Sequence, residues 1–343
     1  MTHRFPVKEI AAQAGLSTAT VDRVLNARAH VAPQTRARVA AAIAELEGQE
    51  AQLAAAGRRV FVDVVIEAPA RFTREVRAAA EAVLPHLGVA VVRPRFVTHE
   101  VLGAAQTAAL LDRIAGRGSQ GVCLKARDEE PVHAAVARLA ERGIPVVTLV
   151  TDLPDSRRLA YAGLDNAAAG RTAAWLMAGM LAADARTVVT TQSDVAFSGE
   201  GARASAFVAA LAAARPGLRL VDLSGGAGLD GDTARRFAAG LAACGPVAGV
   251  YSIGGGNRAI LAELDRAGQH PQVFIGHDLD RDNRALLAEG RLTAVLAHDL
   301  AADMRHAFLQ ILAFHRLLPR EALPPPSDVR IVTPHNMPRH PNL

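Results

Sequence analysis

From Val60 onward the chain alternates short apolar runs with alanine-rich stretches, and this alternation persists almost to its end. The runs are Val60–Ile66, Val89–Val92, Gly121–Leu124, Pro145–Val150, Arg186–Thr191, Leu218–Leu223, Val247–Ser252, Gln272–Gly276 and Thr293–Ala297. Most are too short for helices and too continuously apolar for strands that face water on one side. The intervals carry helical spacing, for example around 73–86, 129–142, 167–182, 200–214 and 257–267. Strand and helix in strict alternation give parallel sheets covered on both faces, with ligands bound beyond the carboxyl ends of the strands. Nine strands are many for one open sheet, so two doubly wound parallel sheets with a cleft between them are expected.

The first 47 residues are built differently. Val7, Ile10, Ala11 and Ala14 recur at helical spacing, and Gly15 stands where a left-handed residue can end the helix. Ser17 can cap a second helix, whose buried stripe is Val21, Val24 and Leu25. Pro33 opens a third that carries Val39, Ile43 and Leu46 inward. Helices joined by so few residues must cross sharply, as a helix-turn-helix does. With its inner face fixed, the second helix presents Thr18, Ala19, Asp22 and Asn26 outward, with Arg23 at the edge. Short polar side chains there suit entry into a major groove.

Charge agrees. Residues 1–44 hold six basic and two acidic side chains, a net +4, and the whole chain is also +4, so the rest sums to zero. A nucleic-acid-binding module joined to a neutral domain has this distribution, although a solvated basic face would show it too.

The segments Val7–Ala11, Ala14–Ser17, Thr20-Val21, Arg23–Asn26 and Thr35-Arg36, in ungapped order, resemble the headpiece of the lactose-repressor (LacI/GalR) family. The resemblance implies that Thr18, Ala19 and Arg23 lie at base-reading positions, with Ser17, Thr20 and Asn26 nearer the phosphates. Two departures stand out. Asp22 replaces a common serine, so its carboxylate either turns away from phosphates or accepts from a cytosine amino group. After Leu46 the usual aromatic and Pro-Asn pair are missing, and Leu53 becomes the candidate for the leucine that family hinge helices wedge into the minor groove.

The larger part resembles the sensor of the same family, a periplasmic sugar-binding-protein fold of two lobes joined by three crossovers. Ile144–Val147, Tyr161–Asn166 with Gly170, Val273–Asp278 and Thr293–His298 carry this likeness. It implies a cleft in which Arg203, four residues before Phe207, and Asp278 bind sugar hydroxyls and Phe72 stacks on the ring. Asp152, Asp165, Asn257 and His298 are further cleft candidates. Each has a plainer reading: Arg203 as a solvated charge, Asp278 as a helix cap, Phe72 as core, His298 as a satisfied interior histidine.

The division expected is a headpiece over 1–47, a hinge over 48–59 and an effector and dimerisation domain over 60–343. Lobe one would span about 60–160 plus about 293–320, and lobe two about 163–290. The function expected is ligand-controlled transcription, most simply repression, with a homodimer or higher assembly on double-stranded operator DNA and a sugar or polyol as effector. No metal or cofactor is expected. Cys123 and Cys244 lack metal-ligand spacing and read as small buried hydrophobes of a reducing cytosol. The N-terminus lacks the apolar core of a signal peptide and no run is long enough to cross a bilayer, which points to the cytoplasm. Gly254-Gly255-Gly256 resembles a nucleotide-binding turn but is not followed by Gly-Lys-Ser/Thr, so a tight cleft-lining turn is expected. No nucleophile–base pair supports catalysis. A transporter's solute-binding protein and a cytosolic sugar-binding or sugar-metabolising protein are the rival readings.

Overall fold

A computed structural model of the chain describes residues 3–28, 31–55, 58–320, 323 and 327–338; the side chains of 48–55 lie outside that description. Helices α1 (Val7–Ala14), α2 (Thr18–Leu25) and the first half of α3 (Pro33–Ala55) close on a small core of Phe5, Ile10, Ala11, Ala14, Val21, Val39, Ala42 and Leu46. Gly15 ends α1 with φ of +61°, and the Ser17 hydroxyl accepts from Thr20 N at 3.2 Å to cap α2. Arg38 Nη2 donates to Ala14 O at 2.8 Å, tying α3 across the end of α1. The third helix does not stop at Leu46. It continues as one helix of 23 residues to Ala55, inside the expected hinge of 48–59. A lone Gly48 weakens a helix without breaking it, and its neighbours Glu47, Gln49, Glu50 and Ala51 are helix formers.

Beyond Arg58 the structure has two sheets. The first is five-stranded, in the order β2 (Val91–His99), β1 (Arg59–Glu67), β3 (Gly121–Lys125), β4 (Val146–Leu149), β5 (Ala160–Ala162), and wholly parallel. The second is six-stranded, in the order β11 (Arg330–Val332), β10 (Ala294–Ala297), β9 (Val273–His277), β8 (Val247–Ser252), β6 (Thr187–Thr191), β7 (Arg219–Asp222). Only the β10–β11 pair is antiparallel.

Each sheet is covered on both faces, which explains the continuous apolar strands. In lobe one, α4 (Ala70–Val83) and α12 (Leu300–Phe314) bury one face while α5 (Ala104–Ala115) and α6 (Glu130–Glu141) bury the other. In lobe two, α7 (Asn166–Met180) and α8 (Ser198–Ala214) lie on one face. The other is covered by α9 (Asp230–Leu241), α10 (Asn257–Arg266) and α11 (Arg281–Ala288). The chain passes between lobes after β5, after β10 and between α12 and β11.

Two expectations are corrected. The segment 293–299 belongs to lobe two, because Ala294–Leu296 pairs with Ile275–His277; only α12 returns to lobe one. Strand β2 extends to His99, beyond the expected Val92, because an edge strand tolerates the polar Arg93, Arg95 and Thr98 that hide it in the sequence. Among the described residues no helix is long and apolar enough to cross a membrane.

Candidate functional site

Two surfaces concentrate exposed or unpaired polar groups. The first is the outer face of α2, where Ser17, Thr18, Ala19, Arg23 and Asn26 are exposed and Thr20 and Asp22 half-buried. The Ser17 and Thr20 hydroxyls are 2.8 Å apart, so both are partly committed to the cap. Asp22 is not left bare. Asn26 Nδ2 donates to its Oδ1 and to its backbone O at 2.9 Å each, and Arg28 Nη2 lies 3.5 Å from its Oδ2. These donors offset the carboxylate's charge, so Asp22 turns toward its own helix end. Leu53 lies on the last turns of α3, and its side chain is outside the described residues.

The second surface is a cleft between the lobes, with about 880 Å³ of free space including its open mouth. It lies beyond the carboxyl ends of β1, β3, β4, β6, β8 and β9, where an α/β sheet leaves loop backbone and helix N-termini facing outward. The structure brings Phe72, Arg203, Asn257 and Asp278 together there.

Arg203, on α8, is only 3% exposed. Its Nε donates to Asn166 Oδ1 at 2.7 Å, which leaves its two terminal amino groups for the cleft. Gly170 makes this placement possible: a Cβ there would stand 2.2 Å from Arg203 O, so only glycine lets α7 and α8 approach so closely.

Asp278 follows β9 with φ of +63°, and Val150 follows β4 with φ of +65°. A left-handed valine is a genuine outlier and costs on the order of 1–3 kcal/mol. Both strained turns line the cleft, one in each lobe. Asn283 Nδ2 holds the Asp278 turn by donating to His277 O at 2.8 Å and Asp278 O at 2.7 Å.

His298 stands behind Asp278 and not in the cleft wall. Its Nε2 is 3.3 Å from Asp278 Oδ1, an ion-pair distance not aligned as a hydrogen bond, and its Nδ1 meets Asp303. Burial disfavours the imidazolium, but the two carboxylates outweigh burial and raise its pKa to about 9. Burial likewise works against an ionised Asp278, yet His298 and Arg203 hold its carboxyl far below the usual range.

Asp152 and Asp165 are placed elsewhere. Asp152 accepts from Thr148 Oγ1 at 2.7 Å and Leu153 N at 2.8 Å and is gripped by Arg158. Asp165 caps α7 through Ala168 N at 2.8 Å and is otherwise exposed. Both carboxylates bond local backbone, and neither lines the cleft.

The sequence reading passed over Glu67, Lys125, Phe197, Glu200 and His277, all of which line the cleft. Lys125 Nζ donates to Glu67 O at 2.9 Å and sits 3.8 Å over the Phe197 ring. Burial pulls its pKa down, opposed by Glu200 and Glu67. Glu200 accepts from Ser193 N and Oγ at 2.6 Å each; burial raises its pKa against those bonds and Lys125. His277 Nε2 is 2.6 Å from the Tyr251 hydroxyl, and burial, then Arg203, push it well below its ordinary range, so it is neutral. Most of these lie at a strand's last residue or soon after it, and that position was the available signal.

Deep in the cleft Lys125 and Arg203 face Glu200 and Asp278, two cations against two anions. Asn257 Oδ1, His277 Nδ1 and Asp278 Oδ1 are buried without a hydrogen-bond partner. Lobe one contributes Phe72 and lobe two Phe197, so an apolar ring is available from each side. The lining as a whole has seven carboxylates to four cations, but Lys125, Arg203, Glu200 and Asp278 balance one another. With convergent donors and acceptors and two aromatics beside them, that part of the cleft suits a small uncharged polyhydroxylated molecule.

Residues 64–310 match the model of the periplasmic binding protein domain, and residues 7–47 that of bacterial regulatory proteins of the lacI family. Three solved structures are similar in fold. A solute-binding protein of an ABC transporter from Burkholderia graminis C4D1M, in complex with D-arabinose, is 19% identical with a TM-score of 0.73, over 83% of this chain and 98% of that one. A candidate LacI transcriptional regulator from Bacteroides fragilis is 16% identical with a TM-score of 0.69, over 81% and 98%. A glucose-galactose binding protein from Geobacillus stearothermophilus is 19% identical with a TM-score of 0.69, over 82% and 99%. No protein of curated function matches the chain significantly.

Proposed function

The chain is a bacterial transcriptional regulator of the lacI family whose sensor is a periplasmic binding protein domain, and from that premise we propose that an uncharged sugar or polyol in the interlobe cleft controls its hold on operator DNA. The observation that carries this reading is the balanced set Lys125, Arg203, Glu200 and Asp278 in the cleft, with buried unpaired polar atoms on Asn257, His277 and Asp278 and a phenylalanine from each lobe in the same lining. A charged effector would need a surplus of one sign among those four groups, because an unpaired buried charge is costly. Two of the similar structures are named for monosaccharides, in line with this size and chemistry.

In this reading residues 1–47 bind DNA, 48–59 join the two parts and 60–343 sense the ligand and dimerise. Thr18, Ala19 and Arg23 meet base edges, and Ser17 and Thr20 meet phosphates. Asp22 and Asn26 are engaged with each other, so they shape the helix end beside the groove. Arg203, Asp278 and Asn257 grip hydroxyls between Phe72 and Phe197, while His298 orients Asp278. Ligand contacts from both lobes stabilise one relative orientation of the lobes, and a dimer passes that preference to the spacing of two headpieces. The protein is a binder and performs no chemistry on its ligand.

The test has two arms. Selection from a random duplex library should return a pseudo-palindromic site, and a monosaccharide and polyol panel should contain a compound that changes affinity for it. A panel member that stabilises the protein thermally without altering operator binding would confine the cleft to binding alone. Turnover of a panel sugar in the absence of DNA would replace the reading with an enzymatic one.

A further inference from the structure

Arg71 lies in the first turn of α4 in lobe one, yet every polar partner of its guanidinium among the described residues belongs to lobe two. Nη2 donates to Gly228 O at 2.7 Å, Nε lies 3.2 Å from Asp280 Oδ2, and Nη1 lies 3.9 Å from Asp230 Oδ1. The receiving surface is shaped for it. A Cβ on Gly255 would come within 2.6 Å of Nη2, and one on Gly228 within 2.6 Å of Gly254 O and 3.4 Å of Nη2. Both glycines have positive φ, +82° and +66°, which side-chain-bearing residues rarely adopt. The glycine run after β8 therefore has a use the sequence did not suggest: with Gly228 it leaves a hollow the width of a guanidinium.

Other ties cross between the lobes, among them Asp128 N to Ala196 O at 2.8 Å and Gly199 N to Thr151 Oγ1 at 2.9 Å. Among the described residues one other guanidinium takes part in them, and it gives an informative contrast. Arg127 Nη1 donates to Asp194 Oδ2 at 2.8 Å, but the same guanidinium is anchored in its own lobe on Glu67 at 2.9 Å and 3.1 Å. Opening the lobes would cost Arg127 one partner of two. It would strip Arg71 of every partner, and strip Asp280, buried beside it, of its nearest cation. Arg71's polar contacts therefore exist only in the closed arrangement, which makes them a bias toward closure and not merely a decoration of it.

We propose that Arg71 is the latch of the cleft: its guanidinium, seated in a socket of Gly228, Gly255, Asp230 and Asp280 on the opposite lobe, holds the closed form without ligand and must release for a ligand to enter. The proposal rests on the reading of this cleft as the effector site. It adds that the effector reinforces a closed form already populated, so its apparent affinity is set partly by how readily Arg71 lets go.

The latch can be tested on the full-length protein with neither sugar nor DNA. Cys123 and Cys244 are buried, so spin labels can be placed at Arg113→Cys on α5 and at His270→Cys beyond α10, both exposed. Labelled chains diluted with unlabelled ones then report the interlobe distance by electron–electron resonance. The unsubstituted latch should give mainly one short distance. Arg71→Ala should raise a longer-distance population on the order of tenfold, the effect of losing a charge-assisted hydrogen bond. Gly255→Ala keeps Arg71 but fills its socket and should do the same. If Gly255→Ala fails to fold, Arg71→Ala still decides, because it removes no polar contact within lobe one. Unchanged distances in Arg71→Ala, or a starting protein with no closed population, overturn the proposal. Either result would leave the sugar reading standing, and a cleft that binds no sugar would leave the latch intact.

Discussion

Asp278 occupies three roles at once: it ends a strand in a strained left-handed turn, pairs with His298 and offers an unpaired oxygen near the cleft. Arg203→Ala or Asp278→Ala should weaken effector binding by roughly 2–4 kcal/mol, since each leaves buried polar partners unsatisfied. Calorimetry with the effector found in the panel measures this, and full affinity in both variants would move the site. His298 makes a prediction of the opposite kind, about the fold. In the unfolded chain its imidazole titrates near 6.5, and in the folded chain Asp278 and Asp303 raise that to about 9. The folded state thus holds the proton more tightly. The stabilisation is complete below about pH 6.5 and is lost as the pH climbs toward 9. Urea unfolding at pH 6 and pH 9 should show this loss in the native protein and its absence in His298→Gln. Equal slopes in the two proteins would mean that the imidazole is not held between the carboxylates.

Among the elements, α7 and α8 set the position of Arg203 through a contact that a single methyl group would spoil. Gly170→Ala places a Cβ 2.2 Å from Arg203 O, so the helices must part. A loss of roughly 1–3 kcal/mol in stability is expected, with weaker effector binding following from the displaced guanidinium; unaltered denaturation midpoints would contradict the packing. The same elements show what was legible in the sequence. Apolar periodicity located nine strands and the main helices, because burial on both faces leaves few polar residues to disguise them. Strand β5 and strand β11, three residues each, carry no periodicity to read. The cleft was legible where family spacing marked Arg203 and Asp278. It was not legible at Lys125 and Glu200, whose partners Glu67 O and Ser193 are 58 and 7 positions away and meet them only through folding. Asp152 and Asp165 misled for a general reason: an aspartate near a strand end caps backbone as readily as it binds ligand.

For the whole molecule, the uneven charge divides the labour between its parts. All the net positive charge lies in residues 1–44, so their deletion should abolish DNA binding and leave effector binding intact. A truncated protein that still shifts its operator in a gel would refute that division. Operator affinity should fall steeply with salt, on the order of a thousandfold between about 50 and about 200 mM if about six phosphates are contacted. The route of the chain between the lobes has a consequence for how the protein is made. Helix α12 supplies Met304, Phe308, Ile311 and Leu312 to the core of lobe one, and Ile311 packs so closely on Gly121 that a Cβ there would stand 2.6 Å from it. Strand β11, at residues 330–332, closes one edge of lobe two's sheet. Neither lobe can therefore be finished during synthesis until nearly all of the chain has left the ribosome. Until then the first lobe's sheet keeps an apolar face uncovered and the second an unpaired edge. A nascent chain halted before residue 300 should be easily cleaved by protease throughout lobe one, whereas one released after residue 332 should resist.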